Sequence, residues 1–346
     1  MTELGIYTRY TELGASSRLR CYRYIDTLRG CGFDARMHPL FADDTLRALY
    51  AGRGRRFKMV RDLARRFFAL PRAEANLWIE YELLPGISYG IERRRLKNRR
   101  YVLSFDDAVY LNYRGRPLLD GKFERLASEA AGVMAANDLL VEHFSRFNAN
   151  TVKIPTAVDT DALRPAAEKF TCFTVVWIGT PVTFKAHFAP FAPMFSALAH
   201  ELGFGLLLIG APETAKKLLP GARIEAWSET AERELLPKCH AGIMPLPAND
   251  AFAAGKSAYK LLQYLAAGVP AVASPVGENR VVVRPGETGF LAASPEEWKQ
   301  AFQALIADEK RRSELAAASR TAAETYSVRR YAPVIAKFFE KSFSGA

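Results

Sequence analysis

Five short, almost uninterrupted apolar runs recur after residue 170: TVVWIG, FGLLLIG, AGIMPLP, AVAS and GFLA. Runs of this length, bounded by turn residues, are strands buried on both faces, and that arrangement belongs to a parallel sheet covered by helices. Helical spacing fills the intervals, in HFAPFAPMFSALAHEL, AERELLPKC, GKSAYKLLQYLAAGVP and a short ENRVVV. The first half has the same rhythm, with strand-like runs in LGIYTRY, FDARMHPL, NLWIEYEL, RRYVLSFDD, AAGVMAAND and NTVKIPTAVD. A basic helix beginning near Arg18 follows the first run, and the composition breaks at DTDALRPAAEKF, residues 159–170. The pattern predicts an α/β chain of two doubly wound, Rossmann-like domains, residues 1–165 and 166–325. Residues 326–346 form a closing helix that can return to the first domain. After Glu297 the spacing of Trp298, Phe302 and Leu305 marks a packing face.

A chain of 346 residues exceeds the usual size of one core, which agrees with two domains. Its 49% hydrophobic and 25% charged residues exclude a disordered or fibrous class. The opening MTELGIYTRYTELG places an acid before any apolar run and reads as no secretory leader. No stretch approaches about 18 uninterrupted apolar residues, so no membrane span is expected. Cys21, Cys31, Cys172 and Cys239 are scattered without metal-like pairing, which reads as reduced thiols in a cytoplasmic protein.

The net charge of +11 is concentrated. Residues 52–72 carry eight Lys or Arg against one Asp, and IERRRLKNRR, starting at Ile91, carries six against one Glu. In the first block Phe57, Val60, Leu63, Ala64, Phe67 and Phe68 recur at helical spacing between arginines. Two readings stay open there: a basic helix docked on its own domain, or peripheral attachment to anionic lipid at the inner face of a membrane. Nucleic acid is not expected, because no reading module accompanies the charge.

Polar residues gather where strands end, the edge at which open α/β sheets hold ligands. In the second half the helix of GKSAYKLLQYLAAGVP is expected to begin near Lys256, with its positive end and Lys256 or Lys260 available to a diphosphate. In WIGTPVTFK, Gly179 allows close approach, Thr180 offers a hydroxyl and Lys185 reaches an oxyanion. TELGASSRLR offers Gly14 and Arg18 in the same way. Among the acids, Asp106 and Asp107 follow a buried run, and Glu80 and Glu82 share a face if the chain there is extended. There is no HExxH, CxxC, GxSxG or Walker A sequence, so a zinc site, a serine hydrolase and a P-loop are not expected.

Residues 255–292, together with FDDA, SSRLR, IPTAVD and WIGTP, resemble the bacterial retaining glycosyltransferases of family 4, which have the GT-B architecture. The resemblance covers most of the chain and is weakest between residues 40 and 75. It implies two Rossmann-like domains facing across a cleft, a nucleotide-diphosphate sugar as donor substrate on the second, and a carbohydrate or lipid-linked acceptor on the first. It implies no metal and no cofactor, the diphosphate being neutralised by basic groups and helix ends. By the same resemblance Lys185 matches a phosphate-contacting lysine, Asp106 stands where a histidine near the reacting sugar is common, and Gly14 matches a glycine at the diphosphate. The family's two glutamates, eight positions apart, correspond here to Gly255 and Gln263. Gln263 is then expected at the ribose, and sugar contacts fall to backbone, Asn249 or Asp250. The competing readings are a sugar-nucleotide epimerase or phosphorylase of related build, or a noncatalytic scaffold that binds nucleotide or membrane.

Overall fold

In every central strand, successive residues divide between two cores. Trp78, Val102 and Met134 belong to the core on one face of the first sheet, and Leu77, Ile79, Leu103 and Val133 to the core on the other. Val175, Trp177, Leu206 and Leu208 are separated in the same way from Val176, Ile178, Leu207 and Ile209 in the second sheet. The alternation follows from the pleat, and it explains why the strand sequences are apolar throughout. The computed structural model describes residues 1–51, 55–70 and 74–344.

The chain forms two units. The first contains Met1–Ala157, the three-residue segment Gly255–Ser257 and the helix Val328–Phe343; the second contains Val158–Ala254 and Ala258–Ser327. The strands of the first unit are β1 (Thr2–Tyr10), β2 (Phe33–Phe41), β3 (Asn76–Glu80), β4 (Arg100–Phe105), β5 (Gly132–Ala135) and β6 (Thr151–Lys153). Among the described residues they pair in parallel in the order β2-β1-β3-β4-β5-β6. Its helices include α1 (Ala15–Arg20), α2 (Ile25–Gly30), α3 (Asp43–Ala51), α4 (Arg55–Ala69), α5 (Tyr89–Leu96), α6 (Lys122–Glu129) and α7 (Asp138–Ser145).

The second unit repeats the plan with β7 (Thr174–Ile178), β8 (Gly205–Ile209), β9 (Arg223–Glu225), β10 (Ala241–Met244), β11 (Ala271–Ala273) and β12 (Gly289–Leu291). Their order is β12-β11-β10-β7-β8-β9, again parallel among the described residues. Strand order reverses between β1 and β3 in one sheet and between β7 and β10 in the other, which marks the carboxyl ends of those strands as ligand positions.

Three differences from the sequence reading have local causes. The basic helix near Arg18 is two α-helices joined by a 3-10 turn at Tyr22–Tyr24. Strand β9 escaped notice because two of its three residues are charged. The helix of GKSAYKLLQYLAAGVP begins at Tyr259, not near Lys256, because Ala258 has φ +52° and breaks the helical path before it. Trp298, Phe302 and Leu305 are buried together, as their spacing predicts.

Candidate functional site

At the carboxyl edge of the first sheet, Gly14 opens α1 beneath the ring of Tyr10, where an added Cβ would lie 2.3 Å from the Tyr10 Cβ. The turn is held by Glu80, whose carboxylate accepts from the Arg9 amide (2.8 Å), from Ser17 Oγ (2.5 Å) and from Ser16 Oγ. Arg18 folds back to donate to the Glu12 carbonyl at 3.0 Å. Glu80 and Glu82 do not share a face, because Tyr81 between them has φ +63° and turns the chain. Glu82 joins a buried network in which Lys122 Nζ lies 2.6 Å from Glu82 and 2.7 Å from Glu92, and Arg9 lies 3.0 Å from Glu82. Two cations thus face two carboxylates, and Glu92 also accepts from the Leu83 amide at 2.7 Å and the Leu84 amide at 3.1 Å. Nothing local in the sequence announces this network, since Lys122 and Glu92 lie in ordinary charged stretches.

Above it opens a cavity of about 240 Å³, lined on its polar side by Arg9, Glu82, Asn112 and Tyr113 and on its apolar side by residues including Leu46, Leu49, Met59 and Phe123. Asp106, at the end of β4, is buried and accepts from the Tyr81 hydroxyl. Burial first, and the neighbouring charge of Asp107 second, push its carboxyl up to about 7, while Arg20 pulls in the opposite direction. A carboxyl poised there can hold or release a proton near neutrality. Asp107 turns away from it and pairs with Lys256 at 3.1 Å.

Lys256 therefore folds with the first unit rather than at the head of the second unit's helix. The Asn137 amide donates to the carbonyls of Gly255 (2.9 Å) and Lys256 (3.2 Å), fixing this segment against β5. A Cβ on Gly255 would stand 2.3 Å from the methyl of Ala108, so a side chain there has no room.

At the carboxyl edge of the second sheet, Gly179 is pressed against the Trp177 ring, where a Cβ would approach to 2.5 Å. Thr180 caps the following turn reciprocally with Thr183. Lys185 is exposed on the succeeding π-helical turn Phe184–Phe188. The helix Tyr259–Ala266 is pinned beside this edge by the fully buried Tyr264, whose hydroxyl donates to the Ile243 carbonyl (3.1 Å) and accepts from the Ile178 amide (3.3 Å). Gly242 makes the contact possible, since a Cβ on it would lie 2.4 Å from the Tyr264 ring. One residue thus ties the helix to β7 and β10, the two strands at the order reversal. Lys260 lies over Trp177, its Nζ 5.5 Å from the ring centroid, which brings the helix head and the Gly179–Thr180 turn together. No side chain among the described residues caps this helix. Gln263 is buried in it.

Asp250 accepts from the amides of Phe252 (2.8 Å) and Ala253 (3.3 Å) and so caps the short helix Ala251–Ala254, while Asn249 is exposed beside it. The sequence reading passed over Glu278, which is buried at the head of the helix Asn279–Val282. Next to it, Gly277 has φ +51° and approaches the Ala254 carbonyl so closely that a Cβ would lie 2.1 Å from it. Among the described residues, no group of three His, Cys, Asp or Glu side chains is placed to hold a metal ion.

The sequence pattern described as "Glycosyl transferases group 1" matches residues 172–308. No curated protein matches the chain by sequence. Among solved structures, sucrose-phosphate synthase from Thermosynechococcus elongatus is 13% identical, with all of both chains covered and a TM-score of 0.71. A glycosyltransferase from Rickettsia africae is 11% identical over 100% of this chain and 99% of its own, with a TM-score of 0.70. HepE of Anabaena, solved with UDP-glucose, is 13% identical over 97% of this chain and 99% of its own, with a TM-score of 0.68. At these identities the likeness is one of fold. Taken with the sequence match over residues 172–308, it shows that the chain has the GT-B fold and that its second unit resembles the group 1 glycosyltransferases.

Proposed function

We propose that the chain transfers a sugar from a nucleotide-diphosphate donor to a hydroxyl of a carbohydrate or lipid-linked acceptor, with retention of anomeric configuration and without a metal ion. The observation that carries the reading is the arrangement at β7 and β10: the Gly179–Thr180 turn, with Lys185 following, beside the uncapped helix led by Lys260. Backbone N–H groups at a helix head and nearby ammonium groups are what a departing diphosphate needs, since its negative charge grows as the glycosidic bond breaks. Anabaena HepE, solved with UDP-glucose, supports a nucleotide-diphosphate sugar as the donor class. Gln263 is assigned to the ribose, where its amide both donates and accepts.

In the first unit, the cavity above Glu82 and Tyr113 is assigned to the acceptor, with a polar wall for hydroxyl groups and an apolar wall for an aglycone. Asp106 orients the acceptor hydroxyl and takes its proton as the sugar–oxygen bond forms. Lys256 and Asp107, held to each other, act by positioning this edge rather than by contacting the diphosphate.

The test is a panel of nucleotide sugars offered with oligosaccharide and lipid-linked acceptors, with and without EDTA, and with the product's anomeric configuration read by NMR. Donor-dependent transfer with retention, unaffected by EDTA, is the expected result. A free sugar altered at one stereocentre would instead identify an epimerase, and phosphate-dependent cleavage a phosphorylase. Absence of turnover across the panel would overturn the activity.

A further inference from the structure

The apolar stripe of α4 divides once it is folded. Leu63 and Phe67 turn toward the first unit's core, together with Asp62 and Arg66, while Phe57, Val60 and Phe68 are 81%, 65% and 71% exposed. Ala64 is exposed between them, so positions 57, 60, 64 and 68 form one outward line along the helix. Core burial therefore does not account for these outward side chains, while Asp62 and Arg66 on the same helix are buried. Arg56, Arg61 and Arg65 flank the line and are exposed.

The second basic block meets the first in space. The Arg95 guanidinium lies 4.0 Å from the ring centroid of Phe67, and Arg99 donates to the Leu70 carbonyl at 3.1 Å. Arg94 of α5, next to Arg95 in the chain, is exposed. The acids near α4 are already engaged: buried Asp62 accepts from Thr45 and Arg61, and Asp44 pairs with Arg61 (2.9 Å) and Lys58 (3.3 Å).

We propose that the outward line of α4, with the arginines of α4 and α5 around it, docks on an anionic lipid surface. Aromatic and aliphatic side chains flanked by guanidinium groups match the boundary between acyl chains and anionic headgroups. Among the described residues no helix is long and apolar enough to cross a membrane, so the contact is peripheral. Residues 52–54 and 71–72 of the original basic stretch lie outside the described residues and are not needed for the argument. The docking does not depend on the assignment of donor and acceptor sites.

The experiment is co-sedimentation of the full chain with vesicles of phosphatidylcholine alone and of phosphatidylcholine mixed with phosphatidylglycerol, at two salt concentrations. Binding is expected to the mixed vesicles only and to weaken with salt. It should fall at least about tenfold in Phe57→Ser/Phe68→Ser and in the charge-reversed Arg56→Glu/Arg94→Glu, both with unchanged melting curves. Transfer to a water-soluble acceptor, measured without vesicles, should be the same in these variants as in the parent. That separates failure of docking from failure of the proposed activity. No binding to the mixed vesicles, equal binding to neutral ones, or undiminished binding by both folded variants would overturn the proposal. So would a dimer in sedimentation velocity that dissociates in Phe57→Ser/Phe68→Ser, since the line would then serve a second copy of the chain.

Discussion

Gly255 and Ala108 pack so closely that a single added methyl on Gly255 would stand 2.3 Å from that of Ala108. Gly255→Ala should therefore destabilise the first unit by about 1–3 kcal/mol, measured by urea unfolding. Ala108→Gly should restore part of the loss, giving a coupling of about 0.5–3 kcal/mol in the double-mutant cycle. Gly255→Glu, which would place a carboxylate where the resembling family has one, should lose stability and gain no transfer. A gain in turnover from Gly255→Glu would show that this segment moves far from its packed position.

Asp106 gives two pH signatures. Its carboxyl is raised to about 7, so the folded protein keeps a proton that the unfolded chain releases near its ordinary value of about 4. Its contribution to stability is then full below about 4 and is lost as the pH rises through about 7. Asp106→Asn should flatten the stability profile across that window. In activity the same substitution should cost about 10²–10⁴-fold in kcat, while the parent's rate rises with pH to a plateau above about 7. An unchanged kcat in Asp106→Asn would remove it from the reaction.

Lys185→Ala and Lys260→Ala should each lower kcat/KM for the donor about tenfold, a loss of about 1.4 kcal/mol of transition-state stabilisation. The loss should shrink as salt screens the charges. Steady-state kinetics at two ionic strengths reads both effects, and no change in either variant would place the diphosphate elsewhere.

Lys122→Met should destabilise the protein by about 3–5 kcal/mol, because buried Glu92 would lose its cation while Glu82 kept only Arg9. Adding Glu82→Gln and Glu92→Gln should recover much of this, measured by denaturant midpoints. A small effect of Lys122→Met alone would mean that water enters the network.

The sheets were legible because parallel strands are apolar on both faces, and TVVWIG or FGLLLIG has no other good use in a chain of this composition. The positions of Asp106 and Gly179 at strand ends were legible because each directly follows a buried run. What stayed hidden depends on partners remote in sequence. Gly255 is glycine because of Ala108, Gly242 because of Tyr264, and Lys122 is buried because of Glu82 and Glu92. Nor does helical spacing reveal which of two apolar lines on α4 turns inward, since Leu63, Phe67 and Phe57, Phe68 satisfy the same period.

The helix Val328–Phe343 sets an order of events during synthesis. Its Phe339 lies 5.0 Å from the Trp78 ring and 6.2 Å from Phe33, and Ile335, Ala336 and Phe338 complete the same core. The first unit thus cannot close when residue 157 leaves the ribosome. It must wait with Trp78 uncovered while the whole second unit is made, then accept its missing wall.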